Sequence, residues 1–187
     1  MNDQAPHALF LARVVAFAAS AHVGHRRRGL AQEPYFNHLA EVAQLVAEAT
    51  GGRDINVIAA AYLHDTVEDV GVTADQLRAA FNDDVAALVL EVTDDKALPK
   101  AERKRLQVVN APHKSERAKL IKLADKTSNL RALVLSPPDW PLERRQEYVD
   151  WARAVAAGLF GVNAALEELF FEAAGNADKA IRSLSSP

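Results

Sequence analysis

The sequence has no cysteine, one methionine, few aromatic residues (6%) and no apolar run long enough to span a bilayer. Each shortage removes a class of chemistry. Without thiols there is no disulfide, no thiolate metal site and no cysteine nucleophile, which suits a reducing compartment. The apolar stretch 10–21 is interrupted by Arg13, and no basic leader segment precedes it. These features predict a soluble cytoplasmic protein with no membrane partner. Charge of one sign is scarce as well. A net charge of -3 supplies no global field for nucleic acid, although Arg26-Arg27-Arg28 and the segment 100–105 are locally basic. Basic patches on an acidic chain favour a small polyanion over a duplex.

What is plentiful is helical hydrophobic periodicity. The 187 residues, 49% of them hydrophobic, suffice for one full core, and strand signals are nearly absent. The pattern predicts helices over about 8–23, 34–50, 54–68, 74–81, 84–92, 99–110, 115–133, 142–159 and 162–174, with a polar tail after the last. Gly51-Gly52 and Gly71 supply helix stops, Thr73 and Gln76 have the spacing of a capping box, and Pro137-Pro138 forces a break. No repeat, low-complexity segment or linker divides the chain. The expectation is one all-α domain over 1–187, with its core in about 8–170.

The run His64-Asp65-Thr66-Val67-Glu68-Asp69 sets one imidazole and three carboxylates into an Ala-rich apolar segment, a composition costly to bury without a metal. On a continuous helix, positions 64, 65, 68 and 69 are related by i,i+3 and i,i+4 spacings and project over one side. His64 and Asp65 can then meet one ion from a single turn. His38 and Asp125 are the further candidates, completing a His2Asp2 set. Its mix of nitrogen and carboxylate oxygen suits a water-bearing divalent ion such as Mn²⁺ better than a closed zinc site. Asn129 follows Asp125 by one helical turn, faces the same way and could donate to the nucleoside or its phosphate. Arg27 and Arg28, in the loop after the first helix, offer guanidinium forks for phosphate oxygens.

The ordered set His38, His64-Asp65 and Asp125 resembles the signature of HD-domain metal phosphohydrolases. The flanking text is similar to the hydrolase domain of RelA/SpoT alarmone enzymes, above all to the free-standing small alarmone hydrolases of the metazoan SpoT-homologue type. Carrying the likeness are Pro34-Tyr35, the run from Leu63 to Asp69, Glu91-Val92-Thr93-Asp94-Asp95-Lys96, Leu98-Pro99-Lys100, Glu102-Arg103-Lys104-Arg105-Leu106-Gln107, Lys122-Leu123-Ala124-Asp125-Lys126, Asn129-Leu130-Arg131 and Gln146-Glu147-Tyr148. The resemblance implies an HD-domain helical bundle and Mn²⁺-dependent removal of the 3′-pyrophosphate from (p)ppGpp. It also implies no synthesis, since the chain stops where a long enzyme of this kind would begin its synthetase domain.

The resemblance gives Glu68 and Asp69 a part in catalysis, and either carboxylate could orient or deprotonate the attacking water. It also puts Trp140, Arg144 and Tyr148 in a nucleotide-binding wall. Three positions depart from the family pattern: Arg28 stands where Lys is usual, His25 where Gln is frequent, and Leu39 where Pro commonly follows the histidine. Three readings remain open on the sequence. They are an alarmone pyrophosphohydrolase, with (p)ppApp as a second candidate substrate; a broader nucleotide phosphatase such as one acting on NADPH; and a non-catalytic nucleotide-binding module. An intact Glu68-Asp69 pair argues against the last, because a binder has no need to activate water.

Overall fold

A computed structural model describes residues 4–185. Ten α-helices follow one another: α1 Gln4–Ala21, α2 Phe36–Thr50, α3 Ile55–Leu63, α4 Thr66–Val70, α5 Ala74–Ala80, α6 Asp83–Val92, α7 Lys100–Asn110, α8 Glu116–Leu135, α9 Leu142–Ala156 and α10 Ala164–Ser185, with a 3₁₀ turn at Ala111–His113. No strand occurs among the described residues, only the isolated bridges Arg26–Pro34 and Gly29–Pro138. No helix of the described residues is long and apolar enough to cross a membrane.

Local chemistry sets most boundaries. Asp54, Asn82 and Ser115 accept from the backbone N–H groups of Val57, Val85 and Ala118, capping α3, α6 and α8. Both halves of the Thr73–Gln76 capping box form at α5. Gly51 closes α2 at φ 60°, in the left-handed region that favours glycine.

Helix α8 is the hub, packed by α2, α3, α6, α9 and α10, while α1 lies on α3 and α5 on α6. A helix enclosed on every side should be apolar all round. Yet α8 buries Lys122, Asp125, Lys126, Thr127 and Ser128 beside Ile121, Leu123, Ala124 and Leu130. Burying that many polar groups is costly unless they pair with one another or hold a charge, so the concentration marks the functional centre.

Two boundaries differ most from expectation. The helix expected over 54–68 stops at Leu63 and resumes as α4 at Thr66. The Thr66 hydroxyl donates to the Leu63 carbonyl at 2.6 Å, and Asp65 sits at φ −100°, ψ 0°, so His64 and Asp65 form a bend. They are therefore not on one continuous helical face with Glu68 and Asp69. At the other end, α10 continues to Ser185 where a polar tail was expected after 174, because Ala177 and Ile181 carry the buried stripe onward past Gly175.

Candidate metal centre and its flanking clefts

The bend after α3 aims His64 and Asp65 at His38 on the first turn of α2, and Asp125 approaches from α8. Ligand atoms of His38, His64 and Asp65 all lie within 4.8 Å of one another. Asp125 faces the same gap, its Oδ1 3.3 Å from His38 Nε2 and 3.8 Å from His64 Nε2. Asp65 Oδ2 is 3.1 Å from His64 Nε2 and 3.8 Å from His38 Nε2. Both imidazoles are buried.

The donor set fits a cation. His64 Nδ1 lies 2.8 Å from the Ala61 carbonyl, which can only accept, so Nδ1 carries hydrogen and Nε2 faces the carboxylates. Although close to Asp65, that Nε2 makes no hydrogen bond and is one of the buried polar atoms left without a partner. Burial opposes charge on His64, but Asp65 and Asp125 outweigh it and push its pKa up to about 9. Burial likewise opposes charge on Asp65, yet His64 and His38 hold it below the usual carboxylate range. Asp125 is held low against burial by Lys126 and both histidines. Burial lowers His38. Lys126 offsets only one of the two carboxylates, so charge balance favours a proton on His64, where a divalent ion would replace it.

Neighbouring groups hold the aspartates. The Tyr35 hydroxyl donates to Asp65 Oδ2 at 2.6 Å, and Tyr35 stacks on buried His22. Lys126 Nζ lies 3.0 Å from Asp125 Oδ2 and 4.6 Å above the Trp151 ring. Asn129 Nδ2 donates to Asp125 Oδ1 at 2.6 Å, while its Oδ1 accepts from Arg27 at 3.1 Å. The amide expected to meet substrate thus links the basic loop to the aspartate.

Two clefts flank the centre. The first, ≈ 550 Å³, is lined by Arg27, Arg28, Tyr35, Asp69, Leu133 and Ser136 among others. The second, ≈ 490 Å³, holds Glu68, Asp94, Lys100, Arg103, Lys104 and Arg144. Arg28, Asn129, Trp140 and Tyr148 line both, so the clefts meet across them. Every residue predicted to bind substrate therefore borders at least one cleft. Arg28 is exposed, and Arg144 stacks its guanidinium 4.3 Å over Trp140.

Glu68 and Asp69 diverge. Glu68 accepts from the Asp94 N–H at 3.3 Å and from Arg103 at 3.4 Å, and burial, then Asp94 and Asp65, raises its pKa. Asp69 pairs instead with Lys96 Nζ at 2.6 Å. Sequence reasoning gave no role to Tyr35, Glu41, Asp94, Arg103, Lys126 or Ser128. Tyr35, Asp94, Arg103 and Lys126 lie within the runs that carried the resemblance, whereas Glu41 and Ser128 have no local signal.

A helical bundle that gathers histidines and aspartates between cation-lined clefts is built for metal-assisted chemistry on phosphate esters. The HD domain model matches residues 14–150, and the chain belongs to the HD-domain family. Two of its relatives are the guanosine-3′,5′-bis(diphosphate) 3′-pyrophosphohydrolases MESH1 of Danio rerio and Homo sapiens. The first is 49% identical over 84% of this chain and 88% of its own length, the second 52% identical over 81% and 86%. A solved structure of a metazoan orthologue of SpoT, described as hydrolysing ppGpp and playing a role in starvation responses, superposes with a TM-score of 0.83. It is 45% identical and covers 86% of this chain and 90% of the other.

Proposed function

We propose that this protein is a cytoplasmic, Mn²⁺-dependent guanosine-3′,5′-bis(diphosphate) 3′-pyrophosphohydrolase, converting (p)ppGpp to GDP or GTP and pyrophosphate. The observation that carries it is the convergence of His38, His64, Asp65 and Asp125 on one buried gap between two cation-lined clefts. The MESH1 relatives, matched over most of both chains, support the same substrate.

His38, His64, Asp65 and Asp125 would hold one divalent ion. Such an ion, when bound, neutralises phosphate charge and acidifies water. Arg27 and Arg28 grip the 3′-diphosphate, and Trp140, Arg144 and Tyr148 wall the nucleotide. Glu68 is the better placed base of the acidic pair, because burial and the neighbouring Asp94 carboxylate raise its affinity for a proton. The water oxygen joins the phosphorus attached to the ribose 3′ oxygen and its proton passes to Glu68. The bond from that phosphorus to the 3′ oxygen breaks, leaving a 3′-hydroxyl once protonated, and pyrophosphate departs.

The test is turnover of ppGpp, ppApp and NADPH by chelator-treated protein with Mn²⁺ restored, with products separated by ion exchange. Pyrophosphate and GDP from ppGpp, dependent on added metal, are expected. Inorganic phosphate from NADPH at a higher kcat/KM would make the protein a broader nucleotide phosphatase. Nucleotide binding without turnover would make it a binding module.

A further inference from the structure

The two imidazoles of the centre are fixed by different means. His64 is held by the Ala61 carbonyl, a backbone group that no substitution removes. His38 is held by a chain of side chains: its Nδ1 lies 2.9 Å from Ser128 Oγ, Ser128 Oγ donates to Glu41 Oε2 at 2.6 Å, and Arg131 Nη1 donates to Glu41 Oε1 at 3.0 Å. Glu41 and Arg131 stand at the partly exposed end, and Ser128 and His38 at the buried end.

Counting hydrogens along this chain leaves one arrangement. An ionised carboxylate paired with Arg131 can only accept, so the single hydroxyl hydrogen of Ser128 points to Glu41. The Ser128 oxygen must then accept from His38 Nδ1–H. The neutral ring consequently turns the Nε2 lone pair toward Asp125 Oδ1 at 3.3 Å and Asp65 Oδ2 at 3.8 Å. A lone pair that close to two carboxylate oxygens is repelled unless a cation stands between them. The relay therefore holds His38 in the one tautomer and orientation useful to a metal, and a full negative charge two hydrogen bonds away makes Nε2 a stronger donor.

We propose that Glu41, acting through Ser128, is a positioning residue that sets the divalent-cation affinity of His38. This rests on the reading of His38 as a metal ligand. The test is calorimetric titration of Mn²⁺ into chelator-stripped protein, beside the melting temperature of the same metal-free protein. Ser128→Ala and Glu41→Ala should weaken Mn²⁺ binding by roughly 10–100-fold. Glu41→Gln, which keeps the shape and an accepting oxygen but not the charge, should fall between these and the wild type. The metal-free melting temperature of Glu41→Gln should stay at the wild-type value, which a merely structural role would not predict. Since Glu41→Gln alters only a partly exposed side chain, it carries the test even if Ser128→Ala fails to fold. Wild-type binding with undiminished affinity in both Glu41 variants overturns this inference alone. A wild type that binds no Mn²⁺ overturns the reading of the centre beneath it.

Discussion

Glu68 and Asp69 are adjacent in the chain and opposite in circumstance. Glu68 leans into the second cleft beside Arg103 at 3.4 Å, where burial and the Asp94 carboxylate make its charge harder to hold, and the Asp94 N–H and Lys122 only partly relieve this. Asp69 turns to the first cleft and is matched by Lys96 at 2.6 Å. Consecutive residues on a helix point about 100° apart, and on a five-residue helix between two clefts that angle is enough to separate a proton acceptor from a charge-balancing group. Under the proposed function the pair divides labour in a way that composition alone does not reveal.

The comparison breaks most completely if the centre the two residues share is removed. Asp65→Ala or Asp125→Ala should abolish turnover and metal retention, measured by activity and by metal content after gel filtration. Full activity in either variant would detach both carboxylates from any metal chemistry. Next in size is the direct contrast. Glu68→Gln should lower kcat by ~10²-fold or more with Mn²⁺ and substrate affinity kept, as loss of general catalysis predicts. Asp69→Asn should act mainly on KM. Equal losses of kcat in the two would erase the distinction, and loss of bound metal in Glu68→Gln would make Glu68 a ligand. The smallest effect concerns pH. A base must be deprotonated to work, so a raised Glu68 pKa places the acid limb of kcat above the ordinary carboxylate range, with activity falling as pH drops through it. Asp94→Asn removes the like charge while leaving the backbone N–H in place, so the limb should move to lower pH. A limb that stays put would assign it to another group.

Much of the scaffold was legible because it is written in local chemistry. The Thr73–Gln76 box, the stop at Gly51 and the break at Pro137-Pro138 each depend on residues within a turn of one another. The break at His64 and Asp65 was not, since the apolar period runs straight through it and a single hydroxyl at Thr66 decides the matter. Gly175 misled in the opposite direction: buried apolar residues on both sides carry α10 across it. At the centre, the types and order of His38, His64, Asp65 and Asp125 marked them as candidate ligands, and the fold brings the four side chains together. Their supports were hidden. Ser128 and Glu41 are commonplace residues 87 positions apart in sequence, and only the packing of α2 against α8 gives them meaning.

The basic loop between α1 and α2 is anchored by its backbone as well as by Arg27 and His25. Arg27 N–H reaches Glu33 O, Leu30 N–H reaches Pro137 O and Tyr35 N–H reaches His25 O. Gly29 passes so near the end of α8 that an added Cβ would lie 2.1 Å from the Ser136 carbonyl oxygen. Position and chemistry are thereby written in different alphabets. The main chain and one glycine fix where the loop stands relative to the aspartate on α8, leaving the exposed side chains at 26 and 28 to vary without disturbing it. Arg28 falls on that exchangeable set, whereas His25 packs edge-on against His22 and Tyr35. A change of side chain at position 28 would therefore alter what the first cleft prefers to bind without moving the loop relative to Asp125.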